Sequence, residues 1–216
     1  MELISGFFQV LVHLDQQLLW VTQAYGPWVY LLLFLIVFCE TGLVVTPFLP
    51  GDSLLFVAGT VSGAGAMNVH VLALVLTLAA VVGDSLNYAI GRWIGPRIFR
   101  RPDSWFLKRA YLERTHRFFE RFGGRTIVIA RFVPIVRTYA PFVAGVGQMN
   151  YRRFAAFNVS GALLWVGVIL YAGYLFGNVP VVRNNLNAVI LGIILLSMSP
   201  GIVELVRHRL ASRRGA

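Results

Sequence analysis

Long apolar segments interrupted by prolines and charged residues constrain this chain more than any other feature of its sequence. Of the 216 residues, 57% are hydrophobic and 13% are charged, and the mean hydropathy is +0.71. A soluble domain carries charge on about a quarter of its residues. Because the apolar residues form blocks close to the length that crosses a bilayer, the composition predicts one all-α integral membrane domain over residues 1–216.

The first interrupted segment covers residues 28–66, with Pro47, Pro50 and Gly51 near its middle. Neither flank easily crosses about 30 Å of hydrocarbon by itself. The pattern therefore predicts a re-entrant hairpin of two half-helices that turns at these three residues. Such a turn must be buried in protein or line a wet cavity, because unpaired backbone groups are costly in lipid. Asp52 directly follows the turn, where it can cap the second half-helix.

The second interrupted segment covers residues 126–148 and carries Arg131 and Arg137. Two prolines and two arginines within one short apolar stretch argue against a simple span. The sequence predicts a second re-entrant hairpin here. The residues expected to form its turns are Pro134, Pro141 and Gly145.

The other segments complete a plan that occurs twice. In each half, an amphipathic segment and a hairpin precede a spanning helix, so residues 1–91 and 92–177 are predicted to form two repeats. A further helix is added at the end. The predicted segments are amphipathic helices at 1–24 and 100–123, spans at 69–91, 154–177 and 186–206, and a basic tail at 207–216.

The positive charges predict how these segments are oriented. Lys and Arg are absent before Arg92, although the net charge is +10. The basic regions flank apolar spans, so the positive-inside rule places them and the C-terminus in the cytoplasm. The second hairpin then enters from the cytoplasm and the first from the other side, which makes the repeats inverted. Nucleic-acid binding is disfavoured because the sequence predicts no soluble domain to carry it.

Arg131 and Arg137 are the candidate phosphate-binding residues. A guanidinium group stays charged in any environment and matches a phosphate bidentately. The functional interpretation is a site for a phosphate-bearing lipid headgroup. The alternative is that both arginines pair with Glu40, Asp52 or Asp84 and hold the fold together. Both interpretations can hold in turn during a transport cycle.

Glu40 and Asp52 lie on either side of the first proline-rich turn. A carboxyl group buried in an apolar region exchanges protons more readily near neutral pH. We therefore expect these two residues to couple transport to protons and to release the arginines, although Asp52 could act only as a helix cap. Asp84, Tyr88 and Arg92 follow at helical spacing and are expected to form a supporting network that is mainly structural.

The remaining polar and aromatic residues predict no cofactor and no metal. Cys39 is the sole cysteine, and the histidines lack ligand spacing. Small residues at helical spacing are expected to allow close helix packing, and the tryptophans to form a belt at the membrane interfaces. The histidines are His13, His70, His116 and His208, the small residues are Gly59, Gly63, Gly173 and Gly177, and the tryptophans are Trp20, Trp28, Trp93, Trp105 and Trp165.

Several of these motifs together resemble the DedA family, whose membrane domain is shared with eukaryotic VTT-domain lipid scramblases. The motifs that carry the resemblance are Phe38-Cys-Glu40, Pro47-x-x-Pro50-Gly51-Asp52, Gly83-Asp84-x-x-x-Tyr88-x-x-Gly91-Arg92, and Arg131-Phe-x-Pro134-x-x-Arg137-x-x-x-Pro141-x-x-Ala144-Gly145. The resemblance implies a multi-pass protein of the bacterial inner membrane with two re-entrant hairpins. It also implies recycling of polyprenyl (undecaprenyl) phosphate, driven by the proton motive force, with activity tied to Glu40, Asp52, Arg131 and Arg137.

The sequence thus predicts a lipid flippase rather than an enzyme, with an anionic lipid, protons and membrane lipids as its partners. It is also compatible with a homo-oligomer. Two rivals are a small proton–cation antiporter that uses Glu40 and Asp52, and a membrane phosphatase acting on the same lipid. The phosphatase would need a nucleophile or a histidine pair beside the arginines, and the sequence offers none. A membrane scaffold is disfavoured by the cost of the buried charges.

Overall fold

The computed structural model describes residues 18, 20, 22, 24–42, 51–98, 123–185, 188, 189 and 192, and every regular element in that part of the chain is helical. The helices are α1 (Trp28–Gly42), α2 (Gly51–Gly63), α3 (Val69–Ile98), α4 (Thr126–Ala130), α5 (Pro134–Val146), α6 (Tyr151–Phe176) and α7 (Pro180–Asn184), and a 3-10 turn (Gly123–Arg125) precedes α4.

Two of the described helices are long and apolar enough to cross a membrane. They are the Val69–Ile94 part of α3 and the whole of α6, each of 26 residues. At about 1.5 Å per residue either exceeds the ~30 Å of hydrocarbon. The first was predicted to end at Gly91, but α3 continues to Ile98.

Large apolar side chains cover the outer faces of these helices. On α3, Leu74, Leu78 and Val82 are exposed, and on α6, Leu163 and Leu175 are exposed. Apolar surface repeated along whole helices needs a nonpolar environment. The described structure therefore has an apolar exterior, and its largely apolar interior encloses a group of buried charged residues, as the sequence predicts for a membrane protein.

Four of the shorter described helices pack against a long helix. Helices α1 and α5 pack on α3, whereas α2 and α4 pack on α6. Helix α2 therefore contacts a long helix that lies far from it in the sequence, and so does α5. These two crossings bring the residues of the charged interior together.

Glycines make the crossing of α2 and α6 possible. A methyl group added at Gly59 would collide with the backbone of Leu170 and Tyr174, and one added at Gly173 would collide with the backbone of Phe56. One turn further along, a methyl group at Gly63 would collide with the Asn178 amide and the carbonyl of Tyr174, and one at Gly177 with the Thr60 hydroxyl. The predicted role of these four glycines in close packing is confirmed.

The crossing of α5 and α3 has the same construction. A methyl group at Gly145 would collide with the backbone of Tyr88 and Arg92, and one at Gly91 would collide with the backbone of Phe142. The spacing of Phe142 and Gly145 on α5 repeats that of the phenylalanine and glycine on α2. Gly145 therefore lies inside a helix and serves packing, so its prediction as a turn residue was wrong.

Pro141 was also predicted to form a turn, and it too lies inside α5. The chain turns instead at residues 131–133, and Pro134 begins α5 at the position where a missing N–H costs least. A proline within a helix removes a backbone hydrogen bond, which neighbouring helices can replace in membrane proteins. Next to the proline, Asn87 of α3 donates through Nδ2 to the carbonyl of Thr138, at 3.0 Å, which ties this part of α5 to α3.

Some predicted features lie outside the described residues. They are Pro47 and Pro50 of the first turn, the amphipathic segments at 1–24 and 100–123 apart from a few positions, most of the span at 186–206, and the tail at 207–216.

Candidate functional site

The structure gathers five of the predicted ionisable residues into the space between the helices. Three of them are almost fully buried: Glu40 is 7% exposed, Asp84 is 4% exposed and Arg131 is 3% exposed. Asp52 and Arg137 complete the group and are mostly shielded. Sequence analysis predicted each of these residues as functional or supporting. Their arrangement in two neighbouring clusters comes from the fold.

The first cluster consists of Asp84, Arg131 and Asn158 and is called the Arg131 cluster below. Nη2 of Arg131 lies 2.5 Å from Oδ2 of Asp84 and donates to Oδ1 of Asn158 at 2.6 Å. The three side chains come from α3, from the turn before α5 and from α6. One guanidinium group thus links both long helices to the second interrupted segment.

The local sequence of α6 leaves room for this arginine. A methyl group at Gly161 would approach Nε and Cδ of Arg131 to 3.1 and 3.2 Å, closer than most contacts of this kind. Asn158 also donates through Nδ2 to the carbonyl of Val81 on α3, at 3.0 Å. The Arg131 cluster is therefore buried, held by short contacts and cross-linked in several directions.

The second cluster consists of Glu40, Asp52, Arg137 and Trp165 and is called the Arg137 cluster. Nη1 of Arg137 donates to Oδ1 of Asp52 at 3.1 Å, and Nη2 lies 3.5 Å from Oε1 of Glu40. The indole N–H of Trp165 donates to the same Asp52 oxygen at 2.9 Å. These side chains come from α1, α2, α5 and α6, so the cluster joins both interrupted segments.

Gly51 brings the two carboxylates of the Arg137 cluster together. A methyl group at Gly51 would overlap the Glu40 carboxyl group. Any side chain at this position would displace Glu40 from Arg137. Helix α2 begins at Gly51, and Asp52 in its first turn directs its carboxylate to Arg137 and Trp165. Asp52 therefore contributes to the fold beyond its predicted role as a cap.

Sequence analysis missed Asn158 and assigned Trp165 to the interfacial belt. Both are fully buried, and each donates or accepts a hydrogen bond in one of the clusters. The belt assignment of Trp165 was wrong, because α6 turns this side chain towards the charged interior. A signal was present: the two residues lie seven apart, which places them on one face of a helix that is otherwise apolar there.

The predicted network of Asp84, Tyr88 and Arg92 divides into separate contacts. Asp84 pairs with Arg131, as described. The Tyr88 hydroxyl donates to the carbonyl of Met149, and Nη1 of Arg92 donates to the Tyr88 oxygen at 3.3 Å. Arg92 is exposed. Tyr88 and Arg92 therefore fix the junction of α3 with the start of α6, at a distance from the charged clusters.

Several buried polar atoms of the two clusters have no hydrogen-bond partner within the part of the chain that is described. They are Oε2 of Glu40, Nη2 of Arg137 and both Nε and Nη1 of Arg131. Donors and acceptors left unpaired in an apolar interior are costly. Counted formally, the three carboxyl groups exceed the two guanidinium groups by one negative charge. Within the described residues, the arginines of both clusters therefore retain N–H groups that no hydrogen bond uses.

Buried charged residues enclosed by helices with an apolar exterior define a membrane protein, and comparison with known proteins gives the family. The family model of the VTT domain matches residues 49–175. The chain belongs to the DedA family of membrane proteins.

Three relatives illustrate the extent of the similarity. The chain is 54% identical to Protein DedA of Escherichia coli K12 over 218 aligned positions, covering 100% of both chains. It is 44% identical to the uncharacterized membrane protein Rv0364 of Mycobacterium tuberculosis H37Rv, covering 84% of this chain and 80% of the relative. It is 38% identical to the inner membrane protein YqjA of E. coli K12, covering 84% and 82%. No solved structure matches the chain significantly.

Proposed function

We propose that this protein translocates a phosphate-bearing lipid across the bacterial inner membrane, with polyprenyl phosphate as the candidate substrate and protons as the coupling ion. It acts as a transporter and not as an enzyme, and its C-terminus lies in the cytoplasm. Membership of the family supports the membrane location, and the resemblance described above suggests the lipid.

The observation that carries the proposal is the environment of Arg137. Its guanidinium group lies among apolar helices, pairs with Asp52 and Glu40 at 3.1 and 3.5 Å, and keeps Nη2 without a hydrogen-bond partner in the described structure. A phosphate can accept two hydrogen bonds from one guanidinium group, and this is a stronger interaction than the 3.5 Å contact with Glu40. An anionic headgroup can therefore take the place of a carboxylate, while the lipid tail remains in hydrocarbon.

Protons determine which partner Arg137 holds. When Glu40 is ionised, it competes with an anion for the guanidinium group and adds repulsion. When Glu40 or Asp52 is protonated, that competition falls and the headgroup can bind. Release follows when the carboxyl group loses its proton to the other side of the membrane. Arg131 adds positive potential to the same interior and, in this proposal, contacts the headgroup through its unpaired Nε and Nη1.

The proposed architecture is a pair of inverted repeats, each with a re-entrant hairpin. In this view α1 and α2 are the arms of the first hairpin, and α4 and α5 are the arms of the second. The two glycine crossings support this view, because the second arm of each hairpin packs on the long helix of the other half through the same pattern of residues. Hairpins that meet in mid-membrane are typical of secondary transporters.

A proton–cation antiporter is the second candidate, favoured by the excess of one carboxylate over the arginines. In that case Glu40 and Asp52 bind the cation, and both arginines are structural. The two functions differ in their response to lipid. Added polyprenyl phosphate leaves cation transport by an antiporter unchanged. In the proposed flippase it competes with a labelled lipid substrate and lowers transport of the label.

The test is reconstitution of the full chain in vesicles with labelled polyprenyl phosphate and an imposed pH gradient. We expect the wild type to move the label, and Arg137→Ala and Arg131→Ala to lose transport. Arg153→Ala, which removes an exposed arginine at the start of α6, is the matched control and should behave as the wild type. Equal transport by the wild type and Arg137→Ala would reject the role of the arginine. Absence of lipid movement, together with proton-driven cation uptake, would replace the proposal with the antiporter.

A further inference from the structure

Trp165 contacts both arginines and one carboxylate of the charged interior. Its ring centroid lies 4.0 Å from Cζ of Arg137 and 6.0 Å from Cζ of Arg131. Its indole N–H donates to Oδ1 of Asp52, the oxygen that also accepts from Arg137. The side chain is fully buried on α6. A single residue of the long helix therefore contacts the partners from both interrupted segments.

The geometry divides the surface of the Arg137 guanidinium group into two parts. The 4.0 Å separation of Cζ from the ring centroid is that of a guanidinium face resting on an aromatic ring, where the attraction is cation–π. Its N–H groups lie around the edge in the guanidinium plane and are the atoms that bind carboxylates or phosphates. The contact of the guanidinium face with Trp165 can therefore persist while the anion bound at the guanidinium edge changes. The ring thus keeps the cation stabilised and in place during an exchange that would otherwise leave it exposed to an apolar interior.

We propose that Trp165 is a positioning residue that holds Arg137 by its face, so that the edge can pass between the carboxylates and a tetrahedral oxyanion such as a phosphate monoester. Its N–H has a second function, since it keeps Asp52 hydrogen-bonded after Arg137 has left that carboxylate. This inference rests on the proposed function, which it deepens by naming the residue that makes the exchange of partners possible.

Trp165 also fills space, so the test must separate positioning from packing. Trp165→Phe keeps a ring under Arg137 and loses the N–H. Trp165→Leu loses both the ring and the N–H. Phe154→Leu is the matched control, because Phe154 is a fully buried aromatic residue on the same helix that stacks on Tyr88 and lies outside both clusters. All variants are made in the full chain.

Binding is measured on purified protein in detergent with two ligands of the same tail, a short-chain polyprenyl monophosphate and the corresponding alcohol. We expect Trp165→Leu to bind the monophosphate roughly thirtyfold more weakly, in line with a desolvated cation–π contact. Trp165→Phe should weaken monophosphate binding only about a fewfold, because a phenyl ring still makes a cation–π contact, although a weaker one. Binding of the alcohol should not change in any variant, since only the phosphate needs the guanidinium edge.

Transport in vesicles then shows whether each variant changes the affinity for the substrate or the rate of turnover. Trp165→Leu should raise the KM for labelled polyprenyl phosphate more than it lowers the maximal rate, and Trp165→Phe should restore most of the KM. Equal loss of phosphate and alcohol binding, or the same loss in Phe154→Leu, would show that Trp165 only packs and would overturn the inference.

The inference and the proposed function fail in different ways. If wild-type protein binds the monophosphate selectively but does not translocate it, the flippase is rejected and the positioning role remains. If translocation depends on Arg137 while Trp165→Leu binds the monophosphate as tightly as the wild type, the positioning role is rejected and the flippase remains. If the wild type shows no preference for the monophosphate over the alcohol, both are rejected.

Discussion

The Arg131 cluster and the Arg137 cluster each pair a buried arginine with carboxylate groups, and they differ in how tightly that arginine is held. Arg131 lies 2.5 Å from Asp84 and 2.6 Å from the Asn158 amide oxygen, and it is 3% exposed. Arg137 divides its charge between two carboxylates at 3.1 and 3.5 Å and rests on an aromatic ring. The first arrangement suits a permanent cross-link and the second suits an exchange of partners.

The physical reason for the difference is the number and quality of the contacts that a buried charge needs. Breaking a well-paired buried ion pair leaves an uncompensated charge and is strongly destabilising. A guanidinium group with long edge contacts and a stabilised face loses less when one partner leaves. Two arginines six residues apart can therefore differ in how they serve the headgroup: in the proposal Arg137 exchanges partners, whereas Arg131 keeps Asp84 and offers only Nε and Nη1.

The largest effect is expected from breaking the tight cluster. Asp84→Leu leaves the Arg131 guanidinium group buried without its carboxylate, and we expect a loss of about 3–5 kcal/mol in the free energy of unfolding. Thermal unfolding in detergent measures the loss of stability, and size-exclusion chromatography shows whether the variant remains folded and monodisperse.

The double variant Asp84→Leu with Arg131→Met removes both charges and should recover most of that stability, because apolar replacements of a buried pair are often tolerated. Poorer folding of the double variant than of Asp84→Leu alone would contradict the view of this cluster as a structural cross-link.

The second effect concerns the crossing that places Trp165 and Asp52 together. Gly173→Ala puts a methyl group against the backbone of Phe56, and overpacking of this kind costs about 1–3 kcal/mol. Gly167 lies on the same helix with nothing within 4 Å of an added methyl group. Gly167→Ala should therefore be neutral or stabilising by up to about 1 kcal/mol. Equal melting temperatures for the two variants would show that the crossing does not depend on close approach.

A third effect distinguishes the arginines by their binding geometry. Lysine keeps the charge and loses the planar fork, so Arg137→Lys should weaken binding of a polyprenyl monophosphate by about tenfold, or ~1.4 kcal/mol. Arg131→Lys should instead lower the melting temperature while changing affinity less. Isothermal titration and thermal unfolding of the same preparations give both quantities. The opposite pattern would exchange the roles assigned to the two clusters.

The smallest effect is expected at Glu40, where a neutral isostere imitates the protonated carboxyl group. In Glu40→Gln the competing negative charge is absent, so binding of the monophosphate above pH 7.5 should be about a fewfold tighter than in the wild type. The headgroup is fully ionised in that range, which removes its own titration from the comparison. Affinity measured across pH 7.5–9 should fall in the wild type and stay nearly constant in the variant. A parallel fall in both would exclude Glu40 as the group that titrates.

The sequence by itself determined which segments are helical and apolar and which residues are buried charges or packing glycines. It did so because hydrophobic periodicity, proline breaks and the cost of charge in an apolar region are local properties of the chain. It placed turns at Pro141 and Gly145, because it could not show that α5 continues through the proline while packed on α3, or that Gly145 faces α3.

Only the tertiary structure decided the pairing of the charges. Arg131 meets Asp84, and Arg137 meets Asp52 and Glu40, because α5 crosses α3 and α2 crosses α6 through glycines that are far apart in the chain. The same crossings turn Trp165 and Asn158 inward, although Trp165 alone resembled an interfacial aromatic. Distances between groups on different helices depend on how those helices pack, and no spacing within a single segment encodes them.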